Sequence, residues 1–459
     1  MIHQLMLKEL KDKSAYRQAQ AYAFRYIDSI DEKSVFPSAD DLELLRHFDE
    51  RLPLKSSTSM EVLDMLEQYG SPNTVSQIGG RYFGFVNGSS LPATQSVKWL
   101  ADIWDQCGGL FKTSPINAKL ESVCEAWLKE LFELPESTVA GFVSGTSSAN
   151  LCCLIAARYQ VLKNLGWDVN EKGMNGAPQT RIIAHDQVHG SVKKTLAILG
   201  YGKSQIEWIP SDNQGRIDLD HLPTLDPSCM VLLQAGNANT GAFDNFEAVC
   251  KLANPSGAWV HIDGAFGLWA GATARLKHLT KGINLADSWA VDGHKTLNTP
   301  YDCGIAMCKD PTAMITALQA TGEYIIYSEE RDPILYTQEM SKRSRAIELW
   351  AAMKFLGRQG IEQLVDRMHT LSLQLEKGLR DIGLEILNEV VFNQVLVRYH
   401  DDQQTEKITS YIQESGEVWL GGTTWLGQKA IRNSVCSWVT TEEDIERLVK
   451  IYKSAIEQL

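Results

Sequence analysis

The chain has 459 residues, with 44 Lys and Arg against 57 Asp and Glu, a formal net charge of −13. That length is room for roughly two or three domains of about 150 residues, and 44% hydrophobic with 22% charged residues excludes a globally disordered polymer. A sequence pI near 5.3 excludes a constitutive binder of nucleic acid or anionic membrane, which needs a basic stripe, but leaves a local pocket for one small phosphate allowed.

The N-terminal stretch MIHQLMLKELKDKS mixes charge with apolar residues and lacks the apolar core of a signal peptide. No run of about 18 apolar residues occurs, so no membrane span is predicted. The nine cysteines are an odd number and form no CxxC pair, and Cys152 and Cys153 are adjacent in an apolar helical stretch. Reduced, mostly buried thiols in a cytoplasmic protein are therefore expected, rather than a zinc or redox site.

In chain order, residues 1–68 read as helices, with apolar residues three and four apart in LMLKELKDK, SAYRQAQAYAFRYIDSI and SMEVLDMLEQY. Pro37 and Pro53 punctuate them, and Ser38 in SADDLELL marks a capped helix start. The aromatic, glycine-rich stretch 79–92 reads as an ordered loop. Between 139 and 308, short apolar runs alternate with helical segments. They are Val139–Val143, Arg181–His185, Gln205–Pro210, Cys229–Ala235, Ala258–Asp263, Ser288–Val291 and Gly304–Cys308. Runs apolar at consecutive positions suit strands covered by helices on both faces, so the fold class is α/β, an open sheet whose ligand sits beyond the strands' carboxyl ends. From Ser341 a long helix leads to a smaller α+β region with strands at LEIL and NQVLVRYH and a last helix starting at Thr441. The predicted division is 1–68, 69–340 and 341–459.

Two strand ends carry the chemistry. Asp263 closes one in His261-Ile262-Asp263-Gly264-Ala265, and Lys295 follows the next in Asp292-Gly293-His294-Lys295. A lysine amine that forms an imine with an aldehyde, and a carboxylate that keeps a pyridine nitrogen protonated, are the two groups pyridoxal phosphate requires. Phe142-Val143-Ser144-Gly145-Thr146-Ser147-Ser148-Ala149-Asn150 leaves a strand and opens a helix, where amides and hydroxyls can hold a phosphate. His185 and His189 lie four apart, but no acidic third ligand stands at a zinc-site spacing, so no metal is expected.

The order of these motifs over roughly residues 75–365 resembles the group II pyridoxal-phosphate-dependent amino-acid decarboxylases, the family of aromatic-amino-acid, glutamate and diaminobutyrate decarboxylases. That resemblance implies fold type I (aspartate-aminotransferase-like): a mostly parallel sheet with helices on both faces plus a smaller C-terminal α+β domain. It also implies a homodimer with active sites near the interface, the N-terminal helices packing on the partner. By the same resemblance Thr146 and Ser147 hold the phosphate, and Asp263, Ala265, His294 and Lys295 contact the cofactor. His189 stacks on its ring and helps position substrate. A loop tyrosine, Tyr324 with Tyr327 next, returns a proton to the substrate carbon, and Phe83, Phe85 and Trp104 wall the pocket.

Two positions depart from the pattern. Asp292 stands where many members have Asn, and Gln234 through Gly241 replaces a Thr-rich stretch. No arginine clamp for a distal carboxylate is evident, which disfavours an acidic substrate. The resemblance implies decarboxylation of an L-amino acid through a Lys295 Schiff base. An aldehyde synthase, transaminase or carbon–carbon lyase on the same scaffold, or a non-catalytic homologue that binds the cofactor, are the alternatives.

Overall fold

A computed structural model describes residues 2–320, 322 and 325–459. Four helices lead the chain: α1 (Ile2–Asp12), α2 (Ser14–Asp28), α3 (Ala39–Glu43) and α4 (Ser59–Met65). Ser38 and Thr58 begin the last two with capping boxes, each hydroxyl accepting the backbone N–H three residues on. None of the four contains a fully buried residue. Helices α5 (Pro92–Trp104) and α6 (Pro115–Phe132) both start with proline, where no N–H is needed.

The large sheet has seven strands: β1 (Val139–Val143), β2 (Arg181–His185), β3 (Ile206–Ile209), β4 (Cys229–Gln234), β5 (Trp259–Asp263), β6 (Ser288–Asp292) and β7 (Gly304–Cys308). Their order is β1-β7-β6-β5-β4-β2-β3, and only β7 runs antiparallel to its neighbours. Each predicted run lies on one of these strands. Successive residues point to opposite faces, so Ile182, Met230 and Leu232 join one core cluster while Ile183, Val231 and Leu233 join another. The first cluster packs under α7 (Thr146–Asn164), α9 (Gly190–Ile198) and α11 (Pro311–Leu318), with the short α8 (Val169–Lys172) at its margin. The second packs against α6, α10 (Phe246–Ser256) and α12 (Ala346–Asp381).

The long C-terminal helix differs from the sequence expectation. It starts at Ala346, and Gly357 interrupts it with φ 60°, a conformation glycine tolerates without cost. Beyond it, β8 (Glu385–Ile386), β9 (Gln394–Arg398), β10 (Gly421–Trp425) and β11 (Gln428–Ser434) form an antiparallel sheet in the order β10-β11-β9-β8, with α13 (Asp402–Glu414) and α14 (Glu442–Glu457). The β10–β11 hairpin was not anticipated, because GGTTW and QKAIRNS mix glycine and polar residues and show no apolar run. Among the described residues no helix is long and apolar enough to cross a membrane.

Candidate active site

Strands β1, β5 and β6 all end at one edge of the large sheet, and a cavity of about 430 Å³ opens there. Its walls include Ser144, Thr146, Ser147, His189, Asp263, Ala265, His294 and Lys295, so residues far apart in sequence meet. Phe85 also lines it. Phe83 does not. Its backbone joins the C-terminal sheet, donating to the Trp419 carbonyl oxygen (2.7 Å) and accepting from Ser434 (2.9 Å), and its ring lies wholly inside the core packed on that sheet. Trp104 is 46% exposed at the end of α5 and is not a cavity wall. Tyr324 lies outside the described residues; Tyr327 donates to the Ala320 carbonyl oxygen (2.7 Å).

Lys295 sits in a turn held from several sides. The Lys295 Nζ lies 3.1 Å from Asp292 Oδ2, and Asp292 Oδ1 accepts the backbone N–H of Thr146 (2.6 Å) at the start of α7. A carboxylate at a helix N-terminus is a favourable placement, and here it ties the lysine strand to the phosphate-cradle helix. The neighbouring imidazole, His294, accepts the Cys303 N–H at Nδ1 (3.1 Å) and lies with its ring centre 4.3 Å from that of Tyr301, tilted by 31°, its pKa lowered mainly by burial. Behind the turn, Asn298 adopts φ 56°. Its Nδ2 donates to the carbonyl oxygens of Lys295 (3.1 Å), Thr296 (2.9 Å) and Cys436 (3.0 Å), and its Oδ1 accepts from Ser89 (2.8 Å) and Trp438 (3.0 Å). One buried amide thus joins the lysine turn, the 79–92 loop and the C-terminal region. Gly88 permits that approach, since a Cβ there would collide with the Lys295 carbonyl oxygen.

On the opposite wall Asp263 Oδ1 accepts from the Ala265 N–H (3.2 Å) and Oδ2 from Asn150 Nδ2 (3.0 Å). At His189, Nδ1 accepts the Ser191 N–H (3.2 Å), which leaves the proton of the neutral ring on Nε2. Burial lowers its pKa more than the Asp263 charge raises it, so a neutral, flat ring borders the cavity. Two further walls escaped the sequence reading. Tyr301 lines the cavity and donates to Asn87 Oδ1 (2.8 Å). Arg432, on β11, donates to the Ala238 carbonyl oxygen (3.0 Å) and lies 5.9 Å from the Phe85 ring centre, with no carboxylate partner among the described residues. It was hidden because it belongs to the unanticipated hairpin.

The donor set fits a phosphorylated pyridine aldehyde. The Thr146 hydroxyl is buried in this cavity with no hydrogen-bond partner, and such an orphan is the mark of a missing polar ligand. Ser144, Ser147 and Ser148 add hydroxyls beside it, while the Thr146 amide is already engaged by Asp292. A lysine amine and a carboxylate line the same space. A strand-end Asp, a lysine beyond the next strand and a helix N-terminus at one edge of a mostly parallel sheet define a pyridoxal-phosphate enzyme of fold type I.

Residues 47–400 match the model of the pyridoxal-dependent decarboxylase conserved domain, so the chain belongs to that family and is a pyridoxal-phosphate-dependent carboxy-lyase. It is 26% identical over 449 residues to the aromatic-L-amino-acid decarboxylase of Bos taurus, covering 91% of this chain and 90% of that one. Among solved structures, Oryza sativa TDC with PLP and tryptamine superimposes with a TM-score of 0.90 at 20% identity, covering 98% of each chain. The 4-hydroxyphenylacetaldehyde synthase of Rhodiola rosea gives a TM-score of 0.86 at 20% identity over 99% of each chain.

Proposed function

We propose that the chain converts an L-amino acid to the corresponding amine and CO2, with Lys295 as the amine that holds the cofactor covalently. The observation that carries this reading is the convergence of Lys295, Asp263, the orphaned Thr146 hydroxyl and Arg432 on one cavity. Bound pyridoxal phosphate supplies an electron-accepting ring for the bond broken at the α-carbon. Asp263 would accept a hydrogen bond from the protonated ring nitrogen, and Thr146 and Ser147 would hold the phosphate with their hydroxyls. His189 would border the ring, with its Nε2 proton available to substrate. Arg432 presents an uncompensated positive charge where a substrate carboxylate can be oriented, which fits an α-amino acid. The Lys295 amine lies 3.1 Å from the Asp292 carboxylate, which would keep it beside the cofactor whenever it is free.

The active form is a homodimer in the cytoplasm. Apolar residues exposed on α1 and α2, among them Leu10, Tyr16 and Phe24, support the first statement, and nine unpaired cysteines support the second.

The test reads cofactor and product separately. Purified protein given pyridoxal phosphate is expected to show the visible absorbance of the lysine-bound form, absent in Lys295→Ala. A panel of L-amino acids is then scored for CO2 and amine. Aldehyde with CO2 points to the synthase alternative, and keto acid without CO2 to a transaminase. No bound cofactor in the wild type overturns the reading.

A further inference from the structure

Behind Asp263 a chain of buried polar groups runs away from the cavity. Asn150 Nδ2 lies 3.0 Å from Asp263 Oδ2, and Asn150 Oδ1 lies 3.0 Å from His261 Nε2. His261 Nδ1 is 2.9 Å from Ser288 Oγ, which is 3.0 Å from Trp259 Nε1. The local fold explains the alignment: His261 and Asp263 are two apart on β5 and share a face, Ser288 is the register partner of His261 on β6, and Asn150 lies one turn into α7. Asn150, His261 and Ser288 are fully buried.

The polarity of every link is fixed. A carboxylate only accepts, so the Asn150 amide nitrogen donates to Asp263 and its oxygen faces His261. Complete burial pushes the His261 pKa down to about 3, so the ring carries one proton. That proton sits on Nε2, donated to Asn150. Nδ1 must then accept, so the Ser288 hydroxyl donates to it. The Ser288 oxygen in turn accepts from the indole, which can only donate. Both ends agree, and all the hydrogens point toward Asp263.

We propose that Asn150 and His261 are positioning residues that fix Asp263 in its anionic, acceptor-only form against the cofactor's ring nitrogen. The inference rests on the proposed role of Asp263. Packing alone does not call for such a chain: burying these polar groups costs free energy, and apolar side chains of similar volume would fill the space. The aligned dipoles strengthen one another in a low-dielectric interior, and their common acceptor is the one carboxylate that meets the ring nitrogen.

The test uses holoenzyme reconstituted with pyridoxal phosphate carrying nitrogen-15 in the ring. The nitrogen-15 shift reads whether that nitrogen is protonated, and equilibrium dialysis reads cofactor affinity. His261→Leu removes the link, whereas His261→Gln can donate to Asn150 and accept from Ser288 with one amide. The leucine variant is expected to bind the cofactor about tenfold more weakly, with the shift moved toward the unprotonated value. The glutamine variant should stay close to wild type in both. Ser288→Ala, a smaller change should His261→Leu fail to fold, is expected to move both readings in the same direction by about threefold in affinity. A folded His261→Leu, or a Ser288→Ala, that keeps the wild-type shift and affinity overturns the proposal while the role of Asp263 stands. An unprotonated ring nitrogen in the wild type, or no bound cofactor, overturns both.

Discussion

The cofactor cavity and the N-terminal helices are built on opposite terms. At the carboxyl edge of the large sheet nearly everything is polar, buried and paired: Asn298 makes five side-chain hydrogen bonds, and Asp292 meets both Lys295 and the start of α7. In α1 and α2 no residue is buried, and Leu10, Tyr16 and Phe24 stand more than half to half exposed at 59%, 52% and 50%. The difference teaches that one chain completes the floor of the site but leaves an outer apolar surface unfinished. Substitutions at the floor should therefore change chemistry or folding within the chain, and substitutions on the N-terminal helices should change association.

Lys295→Ala tests that division most severely. It is expected to lower decarboxylation about a thousandfold or more, because it removes the amine proposed to hold the cofactor. Thermal stability of the apoprotein and its sedimentation should remain those of the wild type. A changed sedimentation profile in this variant would break the division.

Asn298→Ala should act on folding instead. Removing one amide leaves the buried carbonyls of Thr296 and Cys436 and the N–H groups of Ser89 and Trp438 without partners, the Lys295 carbonyl keeping the backbone N–H of residue 298, and puts alanine at φ 56°. A loss of about 3 kcal/mol in urea unfolding is expected. A loss below about 1 kcal/mol would mean that water replaces the amide there.

Phe24→Asp should do the reverse. Phe24 stacks 5.9 Å from Trp99 on α5 and is half exposed in the single chain. An aspartate there is expected to weaken self-association at least about tenfold in sedimentation equilibrium, with little change in the unfolding of the monomer. An unchanged association constant would take the N-terminal face out of the interface.

The same contrast explains what could be read from sequence. Strands β4 to β7 are buried on both faces, so their apolar runs are continuous and their ends, which carry Asp263 and Asp292, could be located. Lys295 followed because it stands a few residues beyond a strand end, whereas the role expected for His189 came from the family resemblance alone. Arg432 could not be found this way. It sits on a hairpin whose glycine, threonine and lysine give no period, and its place in the cavity depends on the packing of the C-terminal sheet against residues near 238. Phe83 and Phe85 show the opposite error. Both are aromatic in an aromatic loop, but Phe83 points into the C-terminal core and only Phe85 reaches the cavity. Nothing in the sequence marks Asn150 and His261 inside their motifs, because a hydrogen-bond chain across α7, β5 and β6 exists only in three dimensions.

The smallest expected effect concerns acid. His261 is neutral in the fold, its pKa pushed down to about 3 by complete burial, whereas in an unfolded chain histidine titrates near 6.5. The unfolded state therefore binds the extra proton first. The contribution of the neutral ring is fully present above pH 6.5 or so and is lost as pH falls from there toward the folded value. At about pH 5.5 the loss from His261 alone is about 1.3 kcal/mol relative to neutral pH. Urea midpoints measured at both pH values give the difference, and His261→Gln, which cannot titrate, should lose less stability than wild type over the same interval by about that amount. Equal losses in the two proteins would show that protonation elsewhere, with His189, His294 and His369 also held neutral by burial, governs the acid response. Phe24→Asp should leave the slope untouched, since α1 and α2 bury no histidine and the acid-sensitive groups belong to the inner region.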